Sequence, residues 1–344
     1  MIASNTIILF GWIVLLLLIY MFVVDLSNLQ SSVNSPSHSP DLVHAVVMIA
    51  GGYMAANPLV DLSIQSLRRV GGWEGPIYIL TDSATCFDVT NHDYGSKTIE
   101  IPHEKMDTVF KIKTLKTKLF DYIPDNINNI LYMDVDIVVS RRLTSFLNDL
   151  NEQLVQHALS RKQNDGVLST GTPDHLEKMD IRNTISNKQI SITAKNSPDF
   201  AMFLDAGGHF AGSWVSGVEK WHTGVMWARR GAGDTCMNSW KYMIESGKYD
   251  SDQAALDAAE ESNNCPHTMV LSFRHLLFAK DYLMMLFRGG QTFTHFTAAG
   301  RGSELDPFYK NIVIPRLRGS IRPKLKIEDI DKDKKCKTYK ILKS

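Results

Sequence analysis

The first 67 residues contain no Lys and no Arg; Arg68 is the first cation in the chain. The positive-inside rule therefore has nothing to count near the amino terminus. Over the whole chain neither sign is in surplus, since 37 Lys and Arg balance 37 Asp and Glu. That balance leaves no global field to draw the protein to nucleic acid or to an acidic surface. Cysteine is scarce: Cys86, Cys236, Cys265 and Cys336 are widely spaced and none forms a C-x-x-C pair. A structural zinc site is accordingly not expected. In an oxidising compartment two or four of these cysteines can pair, and their spacing does not choose among the connectivities. No N-x-Ser/Thr sequon occurs, because Asn34 and Asn196 carry Ser at the wrong offset. No internal repeat is visible.

What is present begins with an uninterrupted apolar run, Ile7 to Val24. As a helix of about 18 residues it reaches ~27 Å, enough for a thin secretory-pathway bilayer. A cleaved signal peptide has a shorter apolar core, a basic start and a small-x-small site; none of these is seen. The run is therefore predicted to be an uncleaved transmembrane signal anchor, with residues 1–6 as a short cytoplasmic tail. Residues 25–41, rich in Ser, Asn and Pro, bury too little apolar surface to fold and read as a flexible stem. The folded domain is expected over 42–315, on the lumenal side. Residues 316–344, where Lys and Arg outnumber Asp and Glu, read as a solvated basic tail.

From Leu42 onward strand and helix patterns alternate. Val43 to Ala50 is a short apolar run closed by Gly51-Gly52, predicting a buried parallel strand. Asn57 to Val70 has helical apolar spacing and a glycine stop. Pro76 to Asp82 and Lys97 to Ile101 read as strands, Lys111 to Tyr122 as an amphipathic helix, and Asn129 to Ser140 as one strand interrupted by two carboxylates. Leu150 to Pro198 is polar and weakly periodic, predicting an insertion or mobile loop with local helix. Apolar runs return at Phe200 to Leu204 and Trp221 to Ala228. Helical patterns follow at Asp234 to Ser246, Ser251 to Glu260 and Phe273 to Lys280, and Thr292 to Thr297 reads as a last strand. Alternation of this kind predicts an α/β fold whose mainly parallel sheet carries helices on both faces. Ligands of such sheets gather beyond the carboxyl ends of the strands.

Asp134 and Asp136 lie there. Two acids inside an apolar strand are costly to bury without compensation; two apart in a regular strand, they share one face. Their repulsion is relieved by a cation, and oxygen ligands suit Mg²⁺ or Mn²⁺. A D-x-D at a strand end without a ligand is the plain alternative.

Four segments in order carry a family resemblance. LYMDVDIVV with the preceding KTKLFDYIP, then WHTGVM (Trp221 to Met226), SDQAAL (Ser251 to Leu256) and THFTAAGR (Thr294 to Arg301) resemble the glycogenin-like retaining glycosyltransferases, family eight. The resemblance spans about Val43 to Gly302. It implies a GT-A fold, a Rossmann-like nucleotide-diphospho-sugar transferase, with Mn²⁺ (or Mg²⁺) on Asp134, Asp136 and His295. It further implies that Lys118 and Arg301 face the donor diphosphate, that Asp252 and Gln253 act near the anomeric carbon, and that Ala50, Gly51 and Tyr53 hold the base and ribose. Asp205, His222 and the backbone of Val135 complete the donor site. His222 and Thr223 depart from the family's usual Asn and Ser/Ala, and Arg301 is followed by Gly-Ser-Glu where the family has Pro-Trp.

The expectation is thus a retaining transferase moving a hexosyl or pentosyl unit from a UDP-sugar to a glycan, protein or lipid acceptor. Its place would be the Golgi or ER membrane as a single-pass type II protein, with no nucleic-acid partner and a homodimer left open. Two alternatives stand beside it: a haloacid-dehalogenase-type Mg²⁺-dependent phosphatase, and a non-catalytic nucleotide-sugar-binding partner subunit. The sequence does not choose the sugar or the acceptor.

Overall fold

The structure, a computed structural model, describes residues 42–166, 200–205, 220–231, 234–249, 251–262, 265, 268–272, 275–278, 291–296, 307, 309–317, 319–327 and 336–341. The expected anchor, the stem and Arg301 lie outside the described residues. Among the described residues no helix is long and apolar enough to cross a membrane.

The chain opens with β1 (Ala45–Ile49), buried at every position, and α1 (Pro58–Arg69). The Asn57 side chain caps α1 by accepting from the Leu59 N–H at 2.9 Å, and Pro58 at the first helical position loses no hydrogen bond there. Gly72, at φ 68°, turns the chain out of the helix. Next come β2 (Ile77–Thr81), α2 (Asp88–Tyr94), β3 (Ser96–Glu100), α3 (Val109–Leu115) and β4 (Asn129–Met133). The expected single helix over 111–122 is instead α3 followed by a 3-10 segment, Lys116–Asp121, with a kink at Lys118.

The expected single strand over 129–140 is also two. β4 stops at Met133, residues 134–136 turn, and β5 (Ile137–Val139) joins a second sheet. The Asp134 carbonyl accepts from the Ile137 N–H at 3.2 Å, closing that turn. Asp134 and Asp136 therefore do not share a strand face; a turn presents both. Helix α4 (Leu143–Gly166) runs into the stretch from Leu150 onward that was expected as an insertion or mobile loop with local helix. Then follow β6 (Phe200–Asp205), β7 (Lys220–Arg229), α5 (Asp234–Glu245), α6 (Asp252–Glu261), β8 (Thr268–Leu271), β9 (Leu276–Phe278) and β10 (Phe293–His295). A helix was expected over 273–280; Leu276–Phe278 is a strand.

The larger sheet has the order β3-β2-β1-β4-β7-β6-β8. Only β7 runs against its neighbours, β4 and β6, so the sheet is mainly parallel as expected. The smaller sheet is β5-β10-β9, with Ile137 opposite His295. Alternation along β1 divides the core: Val46 and Met48 face Ile64, Leu67 and Phe146, whereas Val47 and Ile49 face Ile130, Tyr132 and Leu119. Each such buried aliphatic side chain contributes about 1.5–3 kcal/mol.

Of the carboxy-terminal segment, expected as a solvated tail, several described residues are packed on the fold. Leu317, Ile321 and Leu325 are buried against Leu59, Leu62 and Val138, and a disulfide joins Cys336 to Cys86. A second disulfide joins Cys236 to Cys265, tying the start of α5 to the chain just before β8.

Candidate active site

Strand β7 organises the site. Its Gly224 carbonyl accepts from the Asp134 N–H at 2.7 Å, fixing the start of the turn. A Cβ on Gly224 would lie 2.7 Å from His222 Cε1 and 3.0 Å from Asp134 Oδ2, so any larger residue there must displace a neighbouring side chain. The neighbouring Thr223 hydroxyl donates to Asp252 Oδ2 at 2.7 Å. Asp252 opens α6 behind the cap of Ser251, where the helix dipole favours a carboxylate. Its backbone carbonyl is held by Trp240 Nε1 at 2.8 Å.

Asp134, Asp136 and His295 come together although 161 positions separate the first from the last. One ligand atom from each lies within 4.8 Å of the others. His295 arrives on β10, in register with Ile137, and its Nε2 is 3.3 Å from Asp136 Oδ1. The Phe296 N–H donates to the Asp136 carbonyl at 2.8 Å and closes the far side.

The cation at the centre is Lys116. Its Nζ is 2.9 Å from Asp252 Oδ2 and 3.1 Å from Asp134 Oδ1, and stands over the Tyr132 ring at 5.3 Å. The Tyr132 hydroxyl donates to Asp134 Oδ1. Lys118, expected to face the donor diphosphate, sits at the kink two positions on, and no contact with these carboxylates is seen among the described residues. Sequence reading missed Lys116, Tyr132 and Thr223. All three lie inside the quoted motif segments, but only contacts between distant parts of the chain single them out.

Electrostatics follow from burial and charge count. Burial by itself would lower the Lys116 ammonium, but Asp134 and Asp252 outweigh it and hold its pKa above the ordinary value. Burial would raise Asp252; Lys116, assisted by Lys113 and the Thr223 hydroxyl, holds it below the usual carboxylate range. Asp134 is different. Burial raises it, Lys116 opposes, and Asp136 and Asp252 push further upward, leaving the carboxyl above its ordinary range. Burial keeps the Tyr132 phenol well above its usual range, so it remains a donor. Negative charge is in excess on the Asp134–Asp136 side, beyond the reach of one ammonium. Two carboxylates and one imidazole within reach of one another there form a donor set that could hold a metal ion.

The other expected residues are placed as follows. Ala50 and Gly51 follow β1, both buried, and a Cβ on Gly51 would meet Met106 at 2.8 Å. Tyr53 is 39% exposed. Val135 is buried in the turn. Gln253 is half-buried beside Asp252. Asp205 pairs with Lys220 at the end of β6, and its side chain lies outside the described residues. His222 is 1% exposed, with its Nε2 2.9 Å from His295 Nδ1.

No family model matches the sequence, and no curated protein matches it. The chain is similar to solved glycosyltransferase structures at low identity. Galactosyltransferase LgtC, in complex with donor and acceptor sugar analogues, is 13% identical with a TM-score of 0.45, over 82% of this chain and 100% of that one. The glycosyltransferase GlyE of Streptococcus pneumoniae TIGR4 is 12% identical with a TM-score of 0.43, over 87% and 66% respectively. Mouse xyloside xylosyltransferase 1 in its apo form is 11% identical with a TM-score of 0.41, over 75% and 99%.

Proposed function

We propose that the protein is a metal-dependent glycosyltransferase that moves a hexosyl or pentosyl unit from a UDP-sugar to a glycan, protein or lipid acceptor. The observation that carries this reading is the meeting of Asp134, Asp136 and His295 beside an ammonium that bridges Asp134 to Asp252. Those three side chains would hold Mn²⁺ or Mg²⁺, and the ion would supply positive charge for a leaving diphosphate.

The chain's own groups supply the rest. Lys116 places a fixed, desolvated cation next to the metal-site carboxylates, where negative charge grows as the glycosidic bond to diphosphate breaks. Asp252, kept ionised by Lys116 and aimed by Thr223, is positioned to stabilise positive charge at the anomeric carbon. Gln253 offers an amide to the sugar hydroxyls beside it. Ala50 and Gly51 leave room for close backbone approach of the nucleotide, and exposed Tyr53 offers a ring face to the base. Retention of anomeric configuration is expected from the family resemblance.

The two disulfides favour an oxidising compartment, in keeping with a type II anchor over residues 7–24 and a lumenal domain in the Golgi or ER. The phosphatase alternative gains no support. It expects its aspartates on the strand that opens the domain, whereas β4 is fourth and Asp134 is already tied to Tyr132 and Lys116. Calorimetry tests the proposed donor site: UDP is expected to bind the full chain with Mn²⁺ and much more weakly after chelation or in the Asp134→Ala/Asp136→Ala variant. Equal UDP binding with and without metal would overturn the metal-dependent reading.

A further inference from the structure

We infer that His222 is a positioning residue for the metal site, fixing both the ring orientation and the tautomer of His295. The inference rests on the metal-dependent reading above and assigns His222 a role other than donor contact.

The geometry begins with which nitrogen faces which neighbour. His295 Nε2 is the atom beside Asp136, at 3.3 Å, so Nε2 is the atom that must present a lone pair to an ion. A neutral imidazole that offers Nε2 as a ligand carries its hydrogen on Nδ1. That Nδ1–H is buried and needs an acceptor. His222 Nε2 lies 2.9 Å from it. A metal-binding imidazole is ordinarily steered in this way by a carboxylate, carbonyl or water on its second nitrogen. Here a second histidine, brought from β7 to β10 across 73 positions, does it.

The pair is also gripped mechanically. The rings of His222 and His295 meet edge to face at 4.9 Å and 71°. Phe278 packs on both, edge-on to His222 at 5.3 Å and tilted against His295 at 5.3 Å. Gly224 leaves the space that the His222 ring fills, since a Cβ there would lie 2.7 Å from His222 Cε1. The ring of His222 thus has one direction in which it fits, and that direction aims Nε2 at His295.

The test is direct binding of Mn²⁺ alone to the full chain in detergent, followed by electron paramagnetic resonance of the free ion. His222→Gln keeps a hydrogen-bonding group near the position of Nε2; His222→Phe keeps a ring against Phe278 and removes the nitrogen. The expected result is Mn²⁺ binding weakened about 10–100-fold in His222→Phe and within about threefold of wild type in His222→Gln. Wild-type-like binding by a folded His222→Phe variant would overturn the inference and leave the metal site standing. Failure of the wild-type chain to bind Mn²⁺ would sink the metal reading and the inference together. A second measurement needs no variant: nitrogen-15 spectra of histidine-labelled wild-type protein with diamagnetic Zn²⁺. A protonated His295 Nδ1 coupled through its hydrogen bond to His222 Nε2 is expected, and an unprotonated Nδ1 with metal bound would overturn the assignment.

Discussion

The Lys116 ammonium lies 2.9 Å from Asp252 Oδ2, joining the kink after α3 to the first turn of α6 across 136 positions of chain. Its second carboxylate, Asp134, makes it the bridge between the expected metal ligands and the expected sugar-facing acid. Removing one member of a buried ion pair costs more than the pair contributes, because the remaining charge is left uncompensated. Lys116→Ala is therefore expected to lower stability by about 3–5 kcal/mol and to abolish donor turnover. Lys118→Ala should leave stability within about 0.5 kcal/mol and retain turnover. Thermal unfolding and UDP release on the two variants check this; equal loss in both would contradict the assignment of Lys116.

Gly224→Ala tests the close packing of the site without changing a charge. The added methyl would stand 2.7 Å from His222 and 3.0 Å from Asp134, so both must shift. A loss of Mn²⁺ affinity of at least tenfold is expected, with a fall in unfolding temperature of a few degrees, on the order of 1–3 kcal/mol for overpacking. Unchanged Mn²⁺ affinity would show that the site tolerates displacement.

Acid and metal responses follow from opposite shifts. Asp252 is held low in the folded state, so its stabilisation is present above the ordinary carboxylate range of about 4 and is lost as pH falls through the lower folded value. Asp134 is raised, so its contribution is favourable below about pH 4 and disappears as pH rises through the folded value. At neutral pH its carboxylate is a cost that a cation relieves. Mn²⁺ should accordingly raise the unfolding temperature more at pH 7.5 than at pH 5, and this pH dependence should shrink in Asp134→Asn. Differential scanning calorimetry reads both; a metal effect independent of pH would contradict the account.

The carboxy-terminal segment carries a separate expectation. Cys336 is bonded to Cys86, the Tyr339 ring stacks on His103 at 4.4 Å, and Ile341 lies against Gly52 just after β1. His103 in turn contacts Asp82 Oδ2 at 2.8 Å, and the Gly52 N–H donates to Asp82 Oδ1 at 2.8 Å. Chain entropy alone gives this long loop a stabilisation of ~5 kcal/mol as an upper value, against ~3–4 kcal/mol for the short Cys236–Cys265 loop. Cys336→Ser is expected to destabilise by at least 2 kcal/mol and to make residues 336–341 accessible to protease. Denaturant unfolding and limited proteolysis check it; wild-type behaviour in both would remove the segment from the fold.

Local signals made much of the scaffold legible. An apolar run closed by Gly51-Gly52 marked β1, a capping Asn57 with Pro58 marked α1, and Asp134, Asp136 and His295 were recognisable through motifs in order. What escaped depended on partners distant in sequence. The run around Leu276 is too short for periodicity to separate helix from strand; pairing with β10 decides it. Among the lysines of KIKTLKTK regular spacing cannot pick out Lys116, because a kink at Lys118 breaks the helical register. Abundant charge hid Leu317, Ile321 and Leu325, which are buried by packing on Leu59, Leu62 and Val138 from elsewhere in the chain. His222 looked like a departure from a donor-binding Asn, and only the arrival of β10 shows it against His295.

The most direct test of the central claim is release of UDP from a panel of UDP-sugars by the full chain with Mn²⁺, beside the Asp134→Ala/Asp136→Ala variant. The account predicts slow hydrolysis of one donor, faster with its acceptor, lost on chelation and in the variant. Tight binding of a UDP-sugar without turnover in the presence of any acceptor would leave a non-catalytic binder. Absence of both binding and turnover with every nucleotide sugar would contradict the glycosyltransferase reading.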